Sequence, residues 1–95
     1  MTTRYEVRLS SAAHRQLGRL PRKVATAVVE FVTVVLPEHP LRLSKPLTGD
    51  FAALRSARRG DYRVLLDVDE DARLVLVVRI AHRAEAYRPP PPNAG

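Results

Sequence analysis

The sequence predicts an α+β domain: a small, twisted antiparallel sheet with an N-terminal helical hairpin packed on one face, in the order β-α-α-β-β-β. Two features of the pattern carry this. The first half holds one short alternating run followed by two stretches of helical spacing that meet at Pro21. The second half switches to strict alternation of apolar and polar residues, the period of strands. Length agrees, since 95 residues allow one domain and compact domains usually need roughly 100–150. A chain of this size buries only about 60–65% of its unfolded surface, so a single modest core must hold it together.

Each element has its local reason. Tyr5, Val7 and Leu9 alternate with Glu6 and Arg8, the pattern of a half-buried strand. Ser10 and Ser11 offer an N-cap to a short helix over Ala12 to Leu20. Pro21 stops that helix and suits the first turn of a second, which runs to about Leu36 before Pro37 and Pro40. Val24, Ala27, Val28, Phe31, Val34 and Val35 share one face of this helix and are expected in the core. Ala52 to Ala57 is a weak strand, followed by a turn over Arg58, Arg59, Gly60 and Asp61. Tyr62 to Val68 alternates, with Tyr62, Val64, Leu66 and Val68 toward the core and Arg63, Leu65 and Asp67 away from it. An acidic turn leads to Leu74 to Ile80, the strongest strand, and the two form an antiparallel hairpin. A short helix or extended segment reaches Tyr87. Residues 1–88 are thus expected to be one domain and 89–95 a proline-rich disordered tail. The sheet face away from the helices is expected to be open and to carry arginines.

Composition narrows the function classes. Absence of cysteine excludes a disulfide framework, a thiol nucleophile and a thiolate metal site. Only four glycines occur, with no glycine-rich fingerprint, so no dinucleotide cofactor is expected. The acidic run Asp67 to Asp71 lacks the spacing and central glycine of a calcium loop, and no metal is expected. The longest apolar stretch, Val24 to Leu36, has 13 residues and is broken by Glu30, whereas a membrane span needs about 20. The N-terminal residues lack the apolar core of a signal peptide, so a cytoplasmic location is expected. The net charge is +6, and 14 of the 16 basic residues are arginine, whose planar fork of donors suits phosphate. Four of the ten acids crowd into Asp67, Asp69, Glu70 and Asp71, leaving the remaining surface more basic still. A polyanionic partner, nucleic acid or acidic protein, follows from that balance.

The basic residues converge on the second half: Arg58 and Arg59, Arg63, then His82 and Arg83, with Tyr87 close behind. Arg63 and Arg79 lie off the core face, and Arg83 continues the parity of Arg79. Cross-strand pairing would make such positions neighbours. An exposed arginine face also has a plainer reading, as a solubilising surface paired to Asp61 and Asp67. Asp61 is expected to orient Arg63 by a salt bridge. Lys45 reads either as a phosphate contact or as an exposed loop lysine, and His14 and His39 read as surface residues.

Lys45-Pro46-Leu47-Thr48-Gly49, Ser56-Ala57-Arg58-Arg59-Gly60-Asp61-Tyr62-Arg63, Ile80-Ala81-His82-Arg83 and Tyr87 occur in that order. With Ala13, Leu17, Leu20 and Pro21 at the front, they resemble the RelE/ParE toxin superfamily over nearly the whole chain. The Gly60-to-Arg63 and His82-to-Tyr87 pieces are more similar to the RelE branch. The resemblance implies a RelE-like toxin that cleaves messenger RNA in the ribosomal A site by attack of a ribose 2′-hydroxyl, without a metal. It implies as partners the ribosome, the message and a RelB-like antitoxin, with operator DNA met only through the antitoxin complex. On the same resemblance Arg63 and Arg83 hold the reacting phosphate, Arg58, Arg59 and Lys45 bind RNA, and Tyr87 stacks on a base. Relatives carry lysines where this chain has Leu54 and Ser56. His82, the one imidazole among the basic clusters, is therefore either the proton-transfer group or a structural neighbour of the arginines. A ParE-like gyrase inhibitor and a non-catalytic antitoxin- or operator-binding module are the alternative readings.

Overall fold

A computed structural model describes residues 4–88; the tail assigned to 89–95 lies outside the described residues. The chain forms β1 (Glu6–Leu9), α1 (Ser11–Gly18) and α2 (Arg22–Glu30), then β2 (Ser44–Pro46), β3 (Arg55–Arg59), β4 (Tyr62–Asp69) and β5 (Leu74–His82). The five strands make one sheet in the order β1-β5-β4-β3-β2, and the α+β class holds. Three details depart from the sequence reading. The strand expected over Ala52 to Ala57 lies at Arg55–Arg59, so Arg58 and Arg59 belong to the ladder and the turn shrinks to Gly60 and Asp61. A short strand, β2, lies in what reads as loop, and the sheet is mixed, because β1 runs parallel to β5. The remaining pairings are antiparallel. Strand direction at that edge depends on where the helical hairpin returns the chain, a non-local outcome that alternation within Tyr5 to Leu9 does not encode.

The helices follow their local signals. Ser10 caps α1, its hydroxyl accepting from the Ala13 N–H at 3.1 Å. Pro21 stands at the N-cap of α2. Beyond Glu30 the helical path widens into a π-type turn over Phe31–Val35 and tightens into a 3-10 turn over Leu36–Glu38. Pro37 is the cause, because it has no N–H to offer the Thr33 carbonyl four residues back. Arg4 takes up that carbonyl instead, with Nη2 donating at 2.7 Å. The wide turn also shifts the buried face. Val34 and Val35, expected in the core, are exposed, and Val32 and Leu36 are buried in their place.

A bulge sets the sheet's two faces. Leu65 pairs with Arg79 but Leu66 pairs with Val77, so Val78 is an extra residue in β5. Val75, Val77 and Ile80 therefore all face the helices, packed with Val28, Phe31, Val32, Leu36, Val64 and Leu66. Helix α1 satisfies the disturbed backbone. The Ser10 hydroxyl donates to the Val78 carbonyl at 3.2 Å, and Gln16 Oε1 accepts from the Ile80 N–H at 2.7 Å.

The second face is not open as expected. A turn over residues 83–88 lies across it, held where Arg79 Nη1 donates to the carbonyls of Ala86 and Arg88. Leu65 and Ala86 are fully buried as a result. Gln16→Ala leaves the Ile80 N–H without its partner and is expected to destabilise the fold by about 1–3 kcal/mol in urea denaturation. The Ile80 amide should lose its protection from hydrogen exchange in the same variant.

Candidate nucleic-acid interface

The β2-β3-β4 end of the sheet positions a basic cleft. Lys45 faces Ser56 across β2 and β3, and Arg58 faces Arg63 across β3 and β4. These four residues, with Leu43, Pro46, Leu47 and Tyr87, line a cleft of about 370 Å³. Gly60, at φ 60°, makes the tight turn that brings Arg58 and Arg63 opposite each other. Like charges directly opposite on a ladder repel, so this geometry is favourable only with an anion between or beside them. Arg63 is steadied by Nη1 donating at 3.1 Å to the carbonyls of both Gly60 and Tyr62. The salt bridge expected from Asp61 does not form. Among the described residues the ion pairs are Arg4 with Glu38, Arg8 with Glu6, and Arg88 with Glu85. None of them engages a cation of the cleft, and no carboxylate lines it.

Tyr87 enters from the C-terminal turn, 43% exposed, with its hydroxyl 2.8 Å from Ser56 Oγ. Its ring offers a stacking surface beside the cations. Arg83 follows β5 directly, and its N–H donates to the Asp61 carbonyl at 2.8 Å, extending the β4-β5 ladder by one step. Alternation carries its exposed side chain to the Arg63 side, outside the group that lines the cleft.

His82 and Arg59 lie elsewhere. His82 pairs with Tyr62, whereas Arg63 pairs with Ala81, so the imidazole leaves the sheet on the face opposite Arg63. It meets Tyr62 edge to face at 5.5 Å between ring centroids, and its Nδ1 accepts from the Ala84 N–H at 3.2 Å. Arg59 lines a separate hollow with Lys23, Val24, Ala27, Val28 and Tyr62, on the helix side.

Three residues that the sequence did not assign to the site help to build it. Ser56 holds the Tyr87 hydroxyl. Arg79 holds the C-terminal turn. Arg55 anchors β2: Nε donates to Ser44 Oγ at 2.7 Å, and Nη2 donates to the carbonyls of Leu41 and Ser44 at 3.1 and 2.9 Å. Ser44 is itself buried and donates to the Pro40 carbonyl at 2.6 Å. No sequence signal separates these arginines from those on the surface, because their partners are distant carbonyls.

Comparison with known proteins places this geometry in a family. Residues 7–87 match the family described as ParE toxin of type II toxin-antitoxin system, parDE. The chain is 48% identical over 84 residues to Toxin RelE of Mycobacterium tuberculosis, covering 88% of this chain and 87% of that protein. It is 44% identical over 84 residues to Toxin RelG of the same organism, covering 88% and 97%. Among solved structures it is similar to the toxin in the RelBE2 toxin–antitoxin complex of M. tuberculosis, with a TM-score of 0.83 and 42% identity over 88% of this chain and 97% of that one. An archaeal RelE–RelB complex from Pyrococcus horikoshii matches at a TM-score of 0.61 and 25% identity, over 90% and 100%.

Replacing Arg55 tests the architecture of the cleft wall. Arg55→Ala is expected to cost about 2 kcal/mol or more, since hydrogen bonds from a charged donor are the stronger ones. Hydrogen exchange of residues 44–46 should accelerate well beyond that of β4 and β5.

Proposed function

The chain belongs to the RelE/ParE superfamily of type II toxins, and we propose that its basic cleft cleaves messenger RNA on the ribosome without a metal ion. The observation that carries this reading is the facing pair Arg58 and Arg63 with Lys45 beside them, in a cleft that no carboxylate lines. Such an arrangement is costly when empty and complementary to a phosphodiester. In the proposed reaction a ribose 2′-oxygen loses its proton and attacks the adjacent phosphorus. The bond to the 5′-oxygen breaks, that oxygen gains a proton, and a 2′,3′-cyclic phosphate and a 5′-hydroxyl remain. Negative charge gathers on the non-bridging oxygens, where fixed cations contribute most. Arg63 meets them from the cleft and Arg83 from the same side of the sheet, while Lys45 and Arg58 bind the flanking backbone and Tyr87 stacks on a base.

Arginine does not give up its proton near neutrality, and the imidazole of His82 is on the opposite face. We therefore assign His82 a structural role beside Tyr62, and Arg59 a position off the path of the RNA. Rate enhancement would rest on arginine electrostatics and on alignment of the message by the ribosome, an effect that can lower a barrier by several kcal/mol. Two relatives are solved as complexes with antitoxins. A RelB-like antitoxin, acidic where it meets Arg58 and Arg63, is the proposed partner of this chain, and operator DNA would be met only through that complex.

Primer extension on messages from cells producing the protein tests the activity. Codon-phased breaks are expected; intact messages with trapped gyrase–DNA complexes would instead assign the ParE-type activity. On purified ribosomes, Arg63→Ala and Arg83→Ala are each expected to slow cleavage about 100–1000-fold, the usual cost of a lost preorganised donor. His82→Gln, which keeps hydrogen bonding but cannot relay a proton, should cleave within a few-fold of the unmodified protein. A loss comparable to that of Arg63→Ala would return His82 to the chemistry.

A further inference from the structure

We propose that Arg79, half-buried on the second face of the sheet, is the positioning residue that sets Tyr87 in the cleft. One nitrogen does most of this. Arg79 Nη1 donates to the Ala86 carbonyl at 2.9 Å and to the Arg88 carbonyl at 2.7 Å, the residues immediately before and after Tyr87. Both of its hydrogens are thereby used, and the backbone on either side of the tyrosine is tied to β5. The guanidinium also stands over the Phe51 ring, 5.7 Å from its centroid, which joins the Gly49–Phe51 turn to the same clamp. Leu65 pairs with Arg79 across the ladder and is 1% exposed, so the clamp sits on a packed floor.

The 83–88 segment has little else to fix its orientation. Its internal bonds, from the N–H groups of Glu85 and Ala86 to the His82 carbonyl, close a turn but do not aim it. The Glu85–Arg88 pair lies within the turn as well. Contact with the sheet comes from the Arg83 N–H, which ties only the start of the segment to the Asp61 carbonyl, from the burial of Ala86, from the Ser56–Tyr87 hydroxyl pair and from Arg79. Placing a cation against carbonyls instead of a carboxylate is a poor way to gain stability, because desolvation offsets much of the attraction. It is an effective way to hold two peptide groups at fixed distance. The bulge at Val78 is what turns Arg79 to this face.

This inference rests on the reading of Tyr87 as a base-stacking residue, and the test separates the two. Arg79→Leu keeps apolar volume and removes the donors, and Arg79→Lys keeps the charge and some donors but loses the planar fork. In Arg79→Leu the amides of residues 84–88 are expected to exchange at least about ten-fold faster, as follows from loss of a charge-assisted hydrogen bond, with β4 and β5 unchanged. In ribosome-dependent cleavage, Arg79→Leu should fall to the level of Tyr87→Ala, and the double variant should fall no further. Arg79→Lys should recover part of the rate, and this partial loss should vanish in the Tyr87→Ala background. The lysine variant carries the same comparison if the leucine variant does not fold. Unchanged exchange at 84–88, full cleavage by Arg79→Leu, or losses that add to those of Tyr87→Ala would each overturn the proposal. If the unmodified protein leaves messages intact, the nuclease reading fails by itself, and the exchange rates together with the Tyr87 ring signals still decide the clamp.

Discussion

The arrangement of this molecule depends on one extra residue. Val78 interrupts the alternation of β5, so Val77 and Ile80 both reach the core although they are three positions apart. A regular strand that buried Val75 and Val77 would carry Arg79 inward to the same face. The bulge sends Arg79 and Ala81 to the face of Arg63, and His82 to the face of Tyr62. It persists because α1 satisfies the backbone groups that it disturbs, through Ser10 at Val78 and Gln16 at Ile80. The N-terminal helix thus helps to decide which face of the sheet Arg79 takes, and with it the seat of the C-terminal turn that carries Tyr87.

Arginine performs two opposed tasks here. Arg55 and Arg79 turn their guanidinium groups onto carbonyls of the chain and act as rivets for irregular backbone, one for β2 and one for the C-terminal turn. Arg58 and Arg63 face each other across a ladder with no carboxylate in their cleft. The first pair contributes order, and the second stores repulsion that an anion relieves. Such a division suits a small domain with a modest core: walls are fixed by charge-assisted bonds that need few residues, and the binding surface stays electropositive. It also accounts for a composition with so many more arginines than lysines, because a planar fork can reach two carbonyls where an ammonium is a point charge.

Much of the fold was legible in the chain. Serine before a helical run, prolines between helices, a glycine at a tight turn and alternation in β4 and β5 each act within a few residues of their effect. The α+β class and the helical hairpin followed from them. The facing of Arg58 and Arg63 was not legible, because Arg58 read as part of the turn and only the register of β3 with β4 puts it in the strand. Missed were the short strand β2, the parallel pairing of β1 and the exposure of Val34 and Val35. Each depends on a partner far along the chain or on the widened turn before Pro37.

The sequence by itself therefore determined the class of the fold, the basic character of its surface and the family resemblance, because residue type and local spacing carry all three. Tertiary structure alone decided which basic residues share a cleft. Lys45, Arg58 and Arg63 meet because β2, β3 and β4 pair in one register, and the bulge in β5 sends His82 to the face of Tyr62 instead. It also decided that Arg79 is a clamp and not a surface charge, because the carbonyls it holds come within reach only when the C-terminal turn folds back over β5.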